Sequence, residues 1–271
     1  VTNYYRKRFV PNNAYLVVTG DVNPEEVITL VNEHFADWQP YSEETPALYI
    51  PKNVSETQIN FIDLPSAAQS EIQVTNLIDL KMSHPDYFPL LVANSILGGD
   101  FGSYINMNLR EEHGYTYGAF STFKTDKWTK GSFSIKTKVG NAVTAPAISE
   151  ILKEVKRIQT TIVSEEKLAQ AKAQYLGQFI LATERPQTIA NYAINIKVRS
   201  LPEDFYKNYI AKINAVTKED VQRVANSYFL LKNFRIIIVG KGSDIADELK
   251  NINFDGNKIP MKEFDSYGNE K

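Results

Sequence analysis

The same plan is written twice in this chain, about 220 residues apart. Phe9, Val10, Asn13, Leu16, Val17, Val18 and Gly20 match Phe229, Leu230, Asn233, Ile236, Ile237, Ile238 and Gly240 in type and spacing. In the first copy, residues 14–19 form a β-rich run that ends at Gly20, Asn23 and Pro24 stand where a helix cap and first turn belong, and Val27, Ile28, Val31 and Phe35 recur at helical spacing. In the second copy residues 236–238 supply the apolar run and residues 244–254 a further short helical pattern. A helix, a turn, an apolar strand and another helix repeated at this distance point to duplication of one architecture, although two unrelated strand–helix units would carry the same pattern. On the duplication reading, residues 1–38 are the tail of one unit, 39–56 a linker, 57–255 a complete second unit and 256–271 a C-terminal tail.

The linker is read from Pro40, Pro46 and Pro51 among scattered acids, with no periodicity. Within the complete unit, residues 58–64 and 72–78 alternate as strands around a turn at 65–70, and residues 132–138 alternate again. Helical spacing covers 85–97, 141–158, 164–183, 186–200, 203–213 and 217–229. Strand pairs first and helices last predict an α+β fold, a mixed and largely antiparallel sheet covered by helices on one face.

With 43% apolar and 23% charged residues among 271, the chain can bury a substantial core. A formal net charge of -2 gives no polybasic signature, which sets nucleic acid and anionic membranes aside as main partners. No apolar run reaches the roughly 18 to 20 residues of a membrane span. The absence of cysteine excludes disulfides, thiol catalysis and cysteine zinc sites, while leaving the compartment open between periplasm and cytoplasm. The first residues, Val-Thr-Asn-Tyr-Tyr-Arg-Lys-Arg-Phe, read as the middle of an element, so a segment of a longer protein is expected.

Chemistry concentrates at residues 97–121. Gly98, Gly99 and Gly102 break the chain after an apolar helix. Ser103 is placed to cap the next helix, with Asn106 where a capping-box acid would stand, and Ile105, Leu109 and Met107 offer an apolar face. Gly114 stops that helix, and residues 115–123 alternate as a half-buried strand. Arg110 and Tyr117 thus fall on consecutive elements, where their polar ends can converge. The plainer reading also stands: a surface cation at a helix C-terminus and a tyrosine packed in a strand.

Other chemistries find little support. Only His34, His84 and His113 are present. Leu-Val-Asn-Glu-His at 30–34 and Leu-Arg-Glu-Glu-His at 109–113 imitate the inverted zinc motif H-x-x-E-H but carry leucine in place of its first histidine. His84, before Pro85, reads as a residue at the start of a helix. There is no G-x-S-x-G elbow, and the glycines at 98–102 lack the Gly-Lys-Ser/Thr ending of a phosphate loop. The acid pairs Glu25-Glu26, Glu111-Glu112 and Glu165-Glu166 sit at helix starts or on solvated faces.

Four stretches together resemble the inverzincin zinc peptidases of the pitrilysin and mitochondrial processing peptidase family: residues 5–38, 63–70, 96–103 and 108–118. The resemblance implies two homologous α+β halves closing as a clamshell, one holding zinc through H-x-x-E-H and a distal glutamate, the other reaching the substrate with an Arg/Tyr pair. Arg110 and Tyr117 match that pair. The resemblance therefore implies a C-terminal half that contacts peptide substrate and the reaction's oxyanion, and that holds no metal or cofactor itself. Zinc is expected in a homologous half, upstream in the same chain or in a separate subunit, so this segment alone is expected to be inactive. A non-catalytic scaffold or partner subunit of the same fold and a simple peptide-binding module are the alternatives, and association of isolated copies as a homo-oligomer stays open.

Overall fold

Alternate residues of two neighbouring segments, Ile59 and Phe61 on one, Ile72, Val74 and Ile78 on the other, are almost fully buried, which turns one face of a sheet into the core. The computed structural model describes residues 1–42 and 47–271, so Pro46, part of the linker reading, lies outside the described residues. The chain divides into two units, Val1–Tyr49 with Gly177–Asn208, and Ile50–Leu176 with Tyr209–Lys271.

The larger unit carries the sheet. Its strands are β1 (Gln58–Asp63), β2 (Gln69–Ile78), β3 (Ala119–Lys124), β4 (Gly131–Gly140) and β5 (Arg235–Gly240); β6 (Asn253–Phe254) and β7 (Asn257–Lys258) make a small separate hairpin, and β8 (Met261–Phe264) returns to the main sheet. The six-stranded order is β3-β4-β2-β5-β1-β8. Pairing is antiparallel from β3 to β5 and parallel from β5 through β1 to β8, the mixed and largely antiparallel sheet expected for an α+β fold. Residues 256–271, read from sequence as a tail, thus supply a strand parallel to β1.

Helices cover the buried face. Thr144–Thr160 presents Ile148, Ile151, Leu152, Val155 and Ile158 inward, and Lys218–Tyr228 presents Val221, Val224 and Ala225. Thr217 caps the latter helix in a reciprocal capping box with Asp220. Phe133 and Phe229 meet with ring centroids 4.3 Å apart in the core between them. Each such buried side chain contributes about 1.5–3 kcal/mol over its exposed state. The opposite face of the sheet keeps its polar set, Glu71 and Gln73 on β2 and Lys136 and Lys138 on β4.

Several expected elements differ. The helix expected at 85–97 is α-helical only over Tyr87–Asn94 and continues as a π-helix over Ser95–Gly99. The strand expected at 115–123 begins only at Ala119, because the Thr116 side chain takes the Gly118 amide at 3.1 Å and the chain turns through Gly114 at φ 65°. Over 203–213 only Tyr209–Asn214 is helical; Asn208 instead closes on Asp204 through both backbone and side chain. Met107, placed from sequence on the apolar face, is exposed, whereas Ile105 and Leu109 are fully buried.

In the smaller unit, Asn23 caps the helix Pro24–Phe35 by accepting from the Glu25 amide at 2.9 Å, as its position predicts. Residues 14–19 do not form the expected strand: among the described residues nothing pairs with them, and Leu16 is 61% exposed. A β-rich run without a hydrogen-bonding neighbour has no ladder to join. The helices Thr2–Arg8, Pro24–Phe35 and Pro186–Val198 bury none of their residues.

Candidate functional site

The route to Arg110 starts at the glycine hinge. After the π-helical turn Ser95–Gly99, Asn94 and Ser121 exchange side-chain bonds at 2.8 and 3.2 Å, which ties the helix to β3. Ser103 stands at the start of the next helix, but its hydroxyl bonds back to the Asp100 carbonyl at 2.6 Å and caps nothing. Asn106 takes the structural role: its amide donates to the Phe101 carbonyl at 2.7 Å, and its oxygen accepts from the Ala119 amide at 3.1 Å. The helix then widens into a second π-helix, Met107–Glu112, closed by the His113 amide on the Asn108 carbonyl and the Tyr115 amide on the Leu109 carbonyl. Such wide turns recur at functional sites.

Leu109 anchors this turn in the core and Arg110 follows it outward. The Arg110 Nε lies 3.3 Å from Glu111 Oε1, and its guanidinium stands 5.5 Å over the Phe101 ring. Phe101, 63% exposed, meets Phe120 edge-on at 5.2 Å. Phe120 alternates with the buried Ala119 and Ser121, so the ring pair stands on the open face of the sheet.

Tyr117 precedes β3 and is 94% exposed, so it does not pack in the strand. Its neighbours hold it: Thr137 Oγ1 donates to Thr116 Oγ1 at 3.0 Å and lies 3.1 Å from the Gly118 carbonyl. The phenol itself makes no hydrogen bond among the described residues. Tyr117 lines an open groove of about 510 Å³ on the sheet, with Gln69, Glu71, Gln73, Lys136 and Val239. Arg110 is outside that lining and is not hydrogen-bonded to Tyr117; the Phe101–Phe120 pair stands between the Arg110 turn and the strand that follows Tyr117. The guanidinium and the phenol thus do not meet. Sequence reasoning missed Asn94, Thr116 and Thr137, and gave Asn106 a capping-box place where it instead bonds Phe101 and Ala119; their signal is a polar residue set inside an apolar or aromatic run.

Behind the Arg110 turn, Asn108 donates to Glu150 at 3.2 Å and Glu154 at 3.0 Å, and His113 lies 3.8 Å from Glu150. Burial raises the Glu154 carboxyl above its usual range against the pull of Arg157. Burial also acts to raise Glu150, but the bonds from Lys153 and Asn108 outweigh it and leave that carboxyl lowered. Among the described residues no group of three or more His, Asp or Glu is arranged to hold a metal ion. His84 sits at a helix start, where its Nδ1 accepts from the Asp86 amide at 3.1 Å. His34, His84 and His113 thus offer no zinc ligand set among the described residues.

Residues 1–175 match the family described as the Peptidase M16 inactive domain. Among similar curated proteins, the "Probable inactive metalloprotease YmfF" of Bacillus subtilis is 22% identical over 80% of this chain and 50% of its own length. The mitochondrial-processing peptidase subunit beta of Lentinula edodes is 23% identical over 91% of this chain and 55% of its own. Among solved structures, a peptidase M16 inactive domain from Pseudomonas fluorescens has the same fold, with a TM-score of 0.72 and 21% identity over 82% of this chain and 52% of that one. The chain spans about half the length of these curated relatives.

Proposed function

The chain belongs to the family of M16 peptidase inactive domains, and on that premise we propose that it is the substrate-contacting half of a zinc-dependent endopeptidase whose metal is held by a homologous half carrying H-x-x-E-H. The observation that carries this reading is the held but unengaged phenol of Tyr117, almost fully exposed at the end of a threonine-pinned turn. Peptide hydrolysis builds negative charge on the carbonyl oxygen as it becomes tetrahedral. Tyr117 donates one hydrogen bond to that oxygen or to a neighbouring carbonyl, and Arg110 supplies a fixed positive charge on the same face. The homologous half is either upstream in the same polypeptide or a separate subunit. The exposed apolar residues of the smaller unit, such as Tyr5, Phe9 and Leu16, support seating against such a half or against another copy.

Removing one oxyanion donor costs about 10²- to 10³-fold in kcat. In the assembly with the zinc-bearing half, Arg110→Ala and Tyr117→Phe are expected to lower peptide turnover by about that factor, with unchanged circular dichroism and melting. A scaffold role is the second reading, favoured by the ion pair that already engages Arg110 with Glu111. Unchanged cleavage in both variants would establish it and remove the first.

A further inference from the structure

On the two central strands β2 and β4, consecutive cross-strand pairs on the open face behave differently. Glu71 and Lys138 are register partners and close to 2.6 Å, each satisfying the other. Two residues along, Gln73 and Lys136 are partners in the same register, yet neither side chain makes a hydrogen bond or ion pair among the described residues. Both line the groove that Tyr117 lines. With Glu71 and Lys138 neutralising each other, the groove is left with one uncompensated positive charge, at Lys136.

The surroundings of that charge are selective. Phe120 is its partner on the other side, across β3, and Ile237 is the partner of Gln73 on β5, so an ammonium and an amide stand side by side between an aromatic ring and an aliphatic floor. Cross-strand neighbours hold their Cβ atoms about 4.5–5.5 Å apart, a spacing that lets an ammonium and an amide N–H reach the two oxygens of one carboxylate.

We propose that Lys136 and Gln73 form a carboxylate subsite in the Tyr117 groove, which selects peptides carrying an aspartate or glutamate side chain or a free C-terminal carboxylate. This rests on the reading that the groove takes peptide. The site would add a side-chain or C-terminal preference to the backbone contacts proposed for Arg110 and Tyr117.

The test is binding of rhodamine-labelled peptides to the 271-residue chain by fluorescence anisotropy, at about 0.1 M salt, where screening beyond roughly 10 Å is strong. Six peptides differ only in a central Glu, Gln or Lys and in a free or amidated C-terminus. The wild type is expected to bind carboxylate-bearing peptides about fivefold to tenfold more tightly than their neutral counterparts. Lys136→Gln should erase that preference and Lys136→Glu should reverse it toward Lys, with folding of both checked by circular dichroism. A preference that follows the central residue identifies a side-chain carboxylate, and one that follows amidation identifies the C-terminus. Equal affinity for all six peptides, no binding up to millimolar concentration, or an order that survives Lys136→Glu would overturn the subsite. If Arg110→Ala and Tyr117→Phe both leave cleavage by the assembly unchanged while the charge preference persists, the peptidase-half reading fails and the subsite stands.

Discussion

Gly98 has no room for a methyl group: a Cβ there would lie 2.6 Å from Ser121 Oγ and 2.8 Å from the Ser121 backbone nitrogen. The close approach lets the π-helical turn lie against β3. Gly98→Ala is expected to destabilise the protein by about 1–3 kcal/mol, read as a lower urea midpoint with unchanged slope. A neutral midpoint would show that the turn gives way freely. Asn106 works at the same scale, since it satisfies a carbonyl on the Phe101 loop and an amide at the start of β3 with one side chain. Asn106→Ala leaves both groups without that partner and should cost about 1–3 kcal/mol. It should also lower turnover in the assembly by loosening the Phe101 platform under Arg110, and unchanged turnover would detach the platform from function.

Among the elements, the β3–β4 connection and the helix Thr144–Thr160 respond to pH in opposite directions. Asp126 accepts from the Thr129 and Trp128 amides, and these bonds hold its carboxyl below the ordinary 3.8. A lowered carboxyl contributes stability that is present above its unfolded value and lost as the pH falls through its folded one. Asp126→Ala is therefore expected to melt below the wild type at neutral pH, with the gap closing on acidification below 3.8; a gap independent of pH would deny the carboxylate that role. Glu154 has the opposite sign, because burial raises it above 4.5 and the folded state favours its protonated form. Glu154→Gln should therefore gain stability relative to the wild type as the pH rises above 4.5, and a constant difference would contradict it.

How far each element was legible follows from what determines it. Thr144–Thr160 and Lys218–Tyr228 could be read because their apolar stripes and, in the second, the Thr217 cap are local signals. The π-helical widening at Ser95–Gly99 and Met107–Glu112 could not, because it follows from how Asn94 and Asn106 reach to β3, a long-range matter. The alternation at 115–123 misled for a related reason: Thr116 bonds locally and with Thr137, which frees Tyr117 from the strand. Arg110 stands on the helical turn that the sequence predicts and Tyr117 just before the next strand rather than on it, while the Phe101–Phe120 ring pair had no local signal.

At the scale of the molecule, a sheet with one covered face and one polar open face is joined to a unit whose helices bury none of their own residues. Residues 14–19 show the consequence, since a run rich in β-branched and aromatic residues stays outside any sheet. The repeat that paired this run with 236–238 holds in sequence, but only the second copy has strands beside it, β2 and β1. The proposed homologous half would supply both the zinc motif and cover for the exposed apolar residues of the smaller unit.

The most direct test is complementation. Peptide cleavage is measured as kcat/KM for the H-x-x-E-H half alone, this chain alone, the two together, and the two together with Arg110→Ala and Tyr117→Phe combined. Cleavage only in the wild-type pair, reduced at least about a hundredfold in the double variant, is the predicted result. Cleavage by this chain alone with one zinc bound, or equal cleavage by the wild-type and double-variant pairs, would contradict it.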